Sequence, residues 1–146
     1  MRTLARLLLA AVSAGLLAIP SLRAEEPGSV VVVAGHANTL AMLSREEVTR
    51  LYIGERLEGD KNQLKALELD VPPWAREVFY ARLLGRTPVQ MRALWARLVF
   101  SGKGRPPRIV ANVDAALKEL EGNASLVVFM PADKAAAAQL KPLFAF

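Results

Sequence analysis

Two short uncharged runs, the four valines of residues 30–33 and Leu-Val-Val-Phe-Met of residues 126–130, restrict the architecture more than any other feature of the chain. A strand that carries apolar side chains at every position, rather than every second one, must be covered on both faces, as in a parallel sheet under helices. The first run ends in Ala34-Gly35, and most of the sequence between the two runs has helical spacing. The expected fold class is therefore α/β: a small, mostly parallel sheet flanked by helices, with right-handed crossovers.

The helices announce themselves by their starts. Ser44 with Glu47 three residues later forms a capping box, and Val48, Leu51 and Tyr52 follow on one apolar face before Gly54. An extended run over residues 64–69 comes next, and Pro72-Pro73 then opens a helix bearing Ala75, Val78, Phe79 and Leu83, with Gly85 placed for a left-handed C-cap. Thr87-Pro88-Val89-Gln90 is a second capping box, after which Met91, Leu94, Trp95, Leu98 and Val99 recur at helical spacing; this helix is expected to cover the sheet. Ile109-Val110 reads as a brief strand, Asn112 as the cap of a helix running to about Glu121, and residues 132–140 as a closing alanine-rich helix.

Residues 1–24 are of another kind. Arg2 and Arg6 precede an apolar stretch, and Pro20 and Arg23 precede Ala24, which is the layout of a secretory signal peptide cleaved between Ala24 and Glu25. The uncharged stretch between Arg6 and Arg23 is 16 residues, short of the roughly 20 that cross a bilayer. The expected organisation is a signal peptide over 1–24 and one domain over 25–146, soluble and periplasmic. With no cysteine in the chain, a lipid-modified cysteine, a disulfide framework, a thiolate metal site and a cysteine nucleophile are all excluded. Of the 19 basic residues, three lie in the leader, leaving 16 against 14 acidic ones, a charge of +2. That small excess, on an exported chain, argues against a nucleic-acid partner.

Catalytic patterns are missing. His36 is the one histidine, and no Gly-x-Ser-x-Gly elbow supplies a nucleophile. Gly54 and Gly59 have the spacing of a phosphate-binding loop, but Asp60-Lys61 follows them in place of Gly-Lys. Glu46, Glu47, Glu55, Glu58 and Asp60 lack calcium-loop spacing. No enzyme, cofactor or metal is expected. Lys103, Arg105 and Arg108, in a Gly/Pro loop, suit an anion or an acidic surface. Anions also favour turns that open helices, where backbone N–H groups are free; residues 35–39, Ser44, Pro72-Pro73 and Thr87 are such places.

The leader, the valine strand, Leu43-Ser44, Leu51-Tyr52-Ile53-Gly54, Arg76 with Phe79, Leu83-Leu84-Gly85-Arg86-Thr87-Pro88, Trp95, Phe100-Ser101-Gly102 and Pro106-Pro107 occur in an order and spacing that resembles half-size relatives of the phosphate-binding proteins of ABC transporters. The resemblance implies one lobe of a type II periplasmic binding fold and an exported solute-binding protein, used for uptake or sensing of phosphate or another small oxyanion. It implies a ligand site drawn from Asn38, Thr39, Ser44 and Arg76, and as partners a small anion, a membrane permease or sensor, and a homodimer mate to complete half a cleft. In full-length relatives a Ser-Gly-Thr run lies six residues before the helix phenylalanine. Here that offset from Phe79 reads Pro73-Trp74-Ala75, without the hydroxyls and with a proline that brings no N–H. Each charge-assisted hydrogen bond lost in this way costs about 1.5–3 kcal/mol. The alternative function is an interaction or sensor module that keeps the fold, has lost phosphate binding, and uses Trp74, Tyr80 and the proline-rich loop.

Overall fold

The computed structural model describes residues 28–70 and 72–146, so the leader and its cleavage site at Ala24 and Glu25 lie outside the described residues. Five strands and five helices follow one another: β1 (Val30–Ala34), α1 (Arg45–Tyr52), a single 3-10 turn (Gly59–Lys61), β2 (Lys65–Leu69), α2 (Pro73–Leu84), α3 (Pro88–Phe100), β3 (Arg108–Val110), α4 (Val113–Gly122), β4 (Leu126–Pro131), α5 (Ala132–Ala137) and β5 (Pro142–Ala145). They form one sheet in the order β3-β2-β4-β1-β5. β2 runs parallel to β3 and β4, whereas β1 is antiparallel to both β4 and β5. Four strands therefore share a direction, and β1 alone opposes them.

That direction corrects one sequence expectation. Every residue of β1 is buried, as a run of valines requires, but the strand is inserted antiparallel between β4 and β5 and is not part of the parallel set. Burial on both faces follows from the helices above and below, whichever way a strand runs. From β2 the chain steps outward through α2 and α3 to β3, then back across β2 through α4 to β4. β2 is contacted by both α2 and α4, and right-handed crossovers in opposite directions place two such helices on opposite faces of a sheet.

The α2 face holds the aromatic part of the core. Tyr52 of α1 meets Phe79 of α2 edge-on at 4.6 Å between ring centres, and Phe79 stacks on Phe129 of β4 at 4.2 Å. All three are fully buried. Aromatic contacts of this kind add about 0.5–1.5 kcal/mol each beyond the area they remove from water.

The caps form where the sequence places them. Ser44 Oγ accepts from Glu47 N–H at 3.1 Å, and Glu47 Oε2 accepts from Ser44 N–H at 2.8 Å. Thr87 and Gln90 repeat the exchange at 3.2 and 2.9 Å, and Asn112 Oδ1 accepts from Ala115 N–H at 2.9 Å. Gly85 takes the left-handed conformation, with φ 61°.

Two elements differ from expectation. In α3 the apolar face meets α2 and α1 instead of the sheet: Trp95 packs edge-on against Tyr80 at 5.6 Å and its Nε1–H donates to the Tyr52 carbonyl at 3.1 Å. Only Met91 of α3 is buried, while Val99 is 53% and Phe100 95% exposed. The spacing identifies a helix with an apolar stripe but not the surface it meets. The last helix stops at Ala137 rather than residue 140, and Gln139 turns with φ 55° into β5, which pairs with β1. Leu143 and Phe144, the buried residues of β5, are too few to reveal a strand by alternation.

Candidate functional site

At the C-terminal end of β2 the sequence Leu67-Glu68-Leu69-Asp70 delivers a carboxylate into the interior. Glu68 is the one buried charged residue among those described, 2% exposed. Successive strand residues point to opposite faces, so Glu68 turns toward α2, where Arg76 and Tyr80, one helical turn apart, reach it together. Arg76 Nε lies 2.7 Å from Glu68 Oε1, and Tyr80 Oη donates to Glu68 Oε2 at 2.5 Å. Arg76 Nη2 donates to Asp70 Oδ1 at 3.0 Å and to the Leu69 carbonyl at 3.1 Å.

Burial pushes the Glu68 carboxyl above its usual range, against the opposing pull of the Tyr80 hydrogen bond and the Arg76 charge. Burial, and then the Glu68 charge, push the Tyr80 hydroxyl far above its ordinary value. Tyr80 is therefore a fixed donor, not a base. Two buried nitrogens in this region, Arg76 Nε and Trp74 Nε1, have no hydrogen-bond partner among the described residues; the Arg76–Glu68 contact is a close ion pair whose Nε–H is off the bonding line.

The four ligand residues expected from the sequence are not brought together. Arg76 belongs to the Glu68 cluster. Asn38 and Thr39 follow β1 and stand at the other end of the sheet, because Ala34 pairs with Val127 near the start of β4. Five strand residues, about 16 Å at ~3.3 Å each, separate the two ends. Asn38 is a loop staple: its Nδ2 donates to the Ala124 carbonyl at 2.7 Å, and its Oδ1 accepts from Leu40 N–H at 2.9 Å. Thr39 is exposed, and the Ser44 hydroxyl is committed to its helix cap.

At the start of α2, Pro72 and Pro73 supply no N–H, and Ala75 N–H is bound by the Pro72 carbonyl at 3.1 Å. An oxyanion arriving there meets the carboxylates of Glu68 and Asp70 on either side of the arginine. Of the basic loop, Arg108 is engaged by Glu119 in a two-pronged ion pair, whereas Lys103 and Arg105 are exposed and make no ion pair among the described residues. Among the described residues no three His, Asp or Glu side chains gather as a metal site, and no helix is long and apolar enough to cross a membrane.

The sequence reading missed Glu68 as a site residue. The available signal was a lone carboxylate between two leucines in an extended run, since an acid in such a place is buried only when paired.

No protein-family model matches the chain, and no curated protein matches it. In structure it is similar to an ABC-type phosphate transport receptor from Vibrio cholerae, with a TM-score of 0.56 and 14% sequence identity, over 78% of this chain and 44% of that one. The fold is that of a single lobe of a periplasmic binding protein. The chain thus spans less than half the length of that receptor, and at this identity the likeness establishes the fold alone.

Proposed function

We propose that this chain is an exported, single-lobe protein of the solute-binding fold that works in the cell envelope by docking to a partner protein, such as a permease or sensor, without enclosing phosphate of its own. The observation that carries this reading is the state of Arg76. Its guanidinium is spent on Glu68, Asp70 and the Leu69 carbonyl, beside a helix start that begins with two prolines. A phosphate site needs donors free of competing charge in a dry pocket, and here the guanidinium already faces two carboxylates.

The second reading is that of a small-oxyanion binder, favoured by the likeness to a phosphate transport receptor. In that case a second copy of the chain would supply the other wall of the cleft.

Isothermal titration of the chain with phosphate, and with sulfate at equal ionic strength, separates the two. The docking reading expects no heat from either anion. Micromolar binding of phosphate would overturn it in favour of the oxyanion reading. Export is tested separately by the mass of the protein recovered from the periplasm, expected to be that of a chain beginning at Glu25.

A further inference from the structure

On the far side of β2 from the Glu68 cluster, the start of that strand, the turn after α1, the loop from α3 to β3 and the last turn of α4 enclose a long open trough. Two of its cations are answered by acids in the same wall, Arg50 by Glu55 at 3.2 Å and Arg108 by Glu119. Arg56, Lys65, Lys103, Arg105 and Lys118 are exposed and have no acidic partner among the described residues. Five unanswered positive charges stand here on a chain whose residues 25–146 carry only +2, so the rest of that surface is net acidic. The trough concentrates the positive field of the molecule.

Its walls are held in place by backbone contact. Gly54 has φ 87°, and a Cβ there would fall on the Arg105 carbonyl; a Cβ on Gly104 would come within 2.7 Å of the Ile53 carbonyl oxygen. Two glycines thus let the loop bearing Lys103 and Arg105 lie directly on the end of α1. Along one rim, Val99 and Pro106 are shared with an apolar groove on α3 that also includes Phe100. Phe100 is 95% exposed among the described residues.

We propose that this trough is the docking surface of the protein, and that its occupant is an extended acidic segment of a partner protein, with an apolar side chain seated against Val99, Phe100 and Pro106. The proposal rests on the docking reading above and names its surface and chemistry. The cations arise from four separate segments around an open channel, which suits a chain lying along it better than one small anion. A second copy face to face would set the same five cations against each other. A flat anionic membrane does not enter a concave channel, and a bare polyphosphate has nothing to place against the apolar rim.

The test is fluorescence anisotropy with a labelled peptide of alternating glutamate and leucine. Binding is expected, weakening as salt is raised. The double variant K103E/R105E should lose at least about tenfold in affinity, and Phe100→Ala a smaller factor of about threefold. Circular dichroism checks that the variants are folded, and R56E/K65E, from two other segments of the lining, repeats the test if the first pair is not. No binding, unchanged affinity in both charge-reversed pairs, or equal binding of a lysine-leucine peptide overturns the proposal. So does equal or tighter binding of inorganic polyphosphate or of phosphatidylglycerol vesicles. Phosphate titration in the same buffer tells the two failures apart. A silent titration with no peptide binding removes only this surface assignment, whereas phosphate heat removes the docking reading itself.

Discussion

Tyr80 and Glu68, twelve residues apart in the chain, meet inside the protein with the phenol donating to the carboxylate at 2.5 Å. The pair closes one side of an ion cluster whose other side is Arg76. A hydrogen bond to a buried charge contributes about 1.5–3 kcal/mol, and its acceptor cannot turn to water when the donor is removed. Tyr80→Phe is therefore expected to lower the unfolding free energy by about that amount, measured by urea denaturation. A loss below about 0.5 kcal/mol, the ordinary range of a surface change, would mean that Arg76 alone satisfies Glu68.

The same carboxylate makes stability depend on pH with a definite sign. Burial raises the Glu68 pKa in the native state, so between the unfolded and folded values the native state holds the extra proton. Its contribution is complete below the unfolded pKa and is lost as pH rises through the folded one. The stability of the wild-type chain minus that of Glu68→Gln should accordingly shrink from about pH 4 toward neutrality. Glu47, drawn downward by Lys61 at 2.6 Å, acts with the opposite sign but is common to both proteins. A difference that grows with pH would reverse the assignment.

Gly54 and Gly59 both have positive φ, 87° and 63°, yet only Gly54 has backbone where a side chain would go. Gly59→Ala should cost about 1 kcal/mol for the left-handed backbone alone. Gly54→Ala should cost about 1–3 kcal/mol more, by thermal or urea unfolding, the range that overpacking adds. Equal losses would show that the contact with Arg105 is not fixed.

Ser44→Ala removes a helix cap and is expected to cost about 1 kcal/mol. Its effect on any binding should be nil, since the hydroxyl already accepts from Glu47 N–H. A change in ligand affinity at unchanged stability would return Ser44 to the site.

What could be read in advance follows from how local each signal is. Caps at Ser44, Thr87 and Asn112 are set by residues three apart, and they are where the sequence places them. The buried strands around Val32 and Val128 were legible because continuous apolar runs need two covered faces. The direction of β1 was not, since a valine looks the same in a parallel and an antiparallel ladder. Nor was the environment of α3: the period of Met91, Leu94 and Trp95 specifies a face, not the helix that will meet it. The expected ligand residues lie apart for the same reason. Asn38 and Arg76 are sound anion-binding residue types, but the order of the strands, a long-range property, puts them at opposite ends of the sheet.

The lone reversed strand also dictates when the molecule can be finished. β1 lies near the front of the described chain, and its two neighbours, β4 and β5, are the last strands made. A polypeptide that emerges from ribosome or translocon with its amino end first must hold four consecutive valines unpaired until more than ninety residues have followed, the separation of Val33 from Val128. Helices and the β2–β3 pair can condense meanwhile, but these centre-strand contacts are of high sequence separation and close late. The sheet is therefore closed only when its last strand arrives, with Phe144 beside Val32.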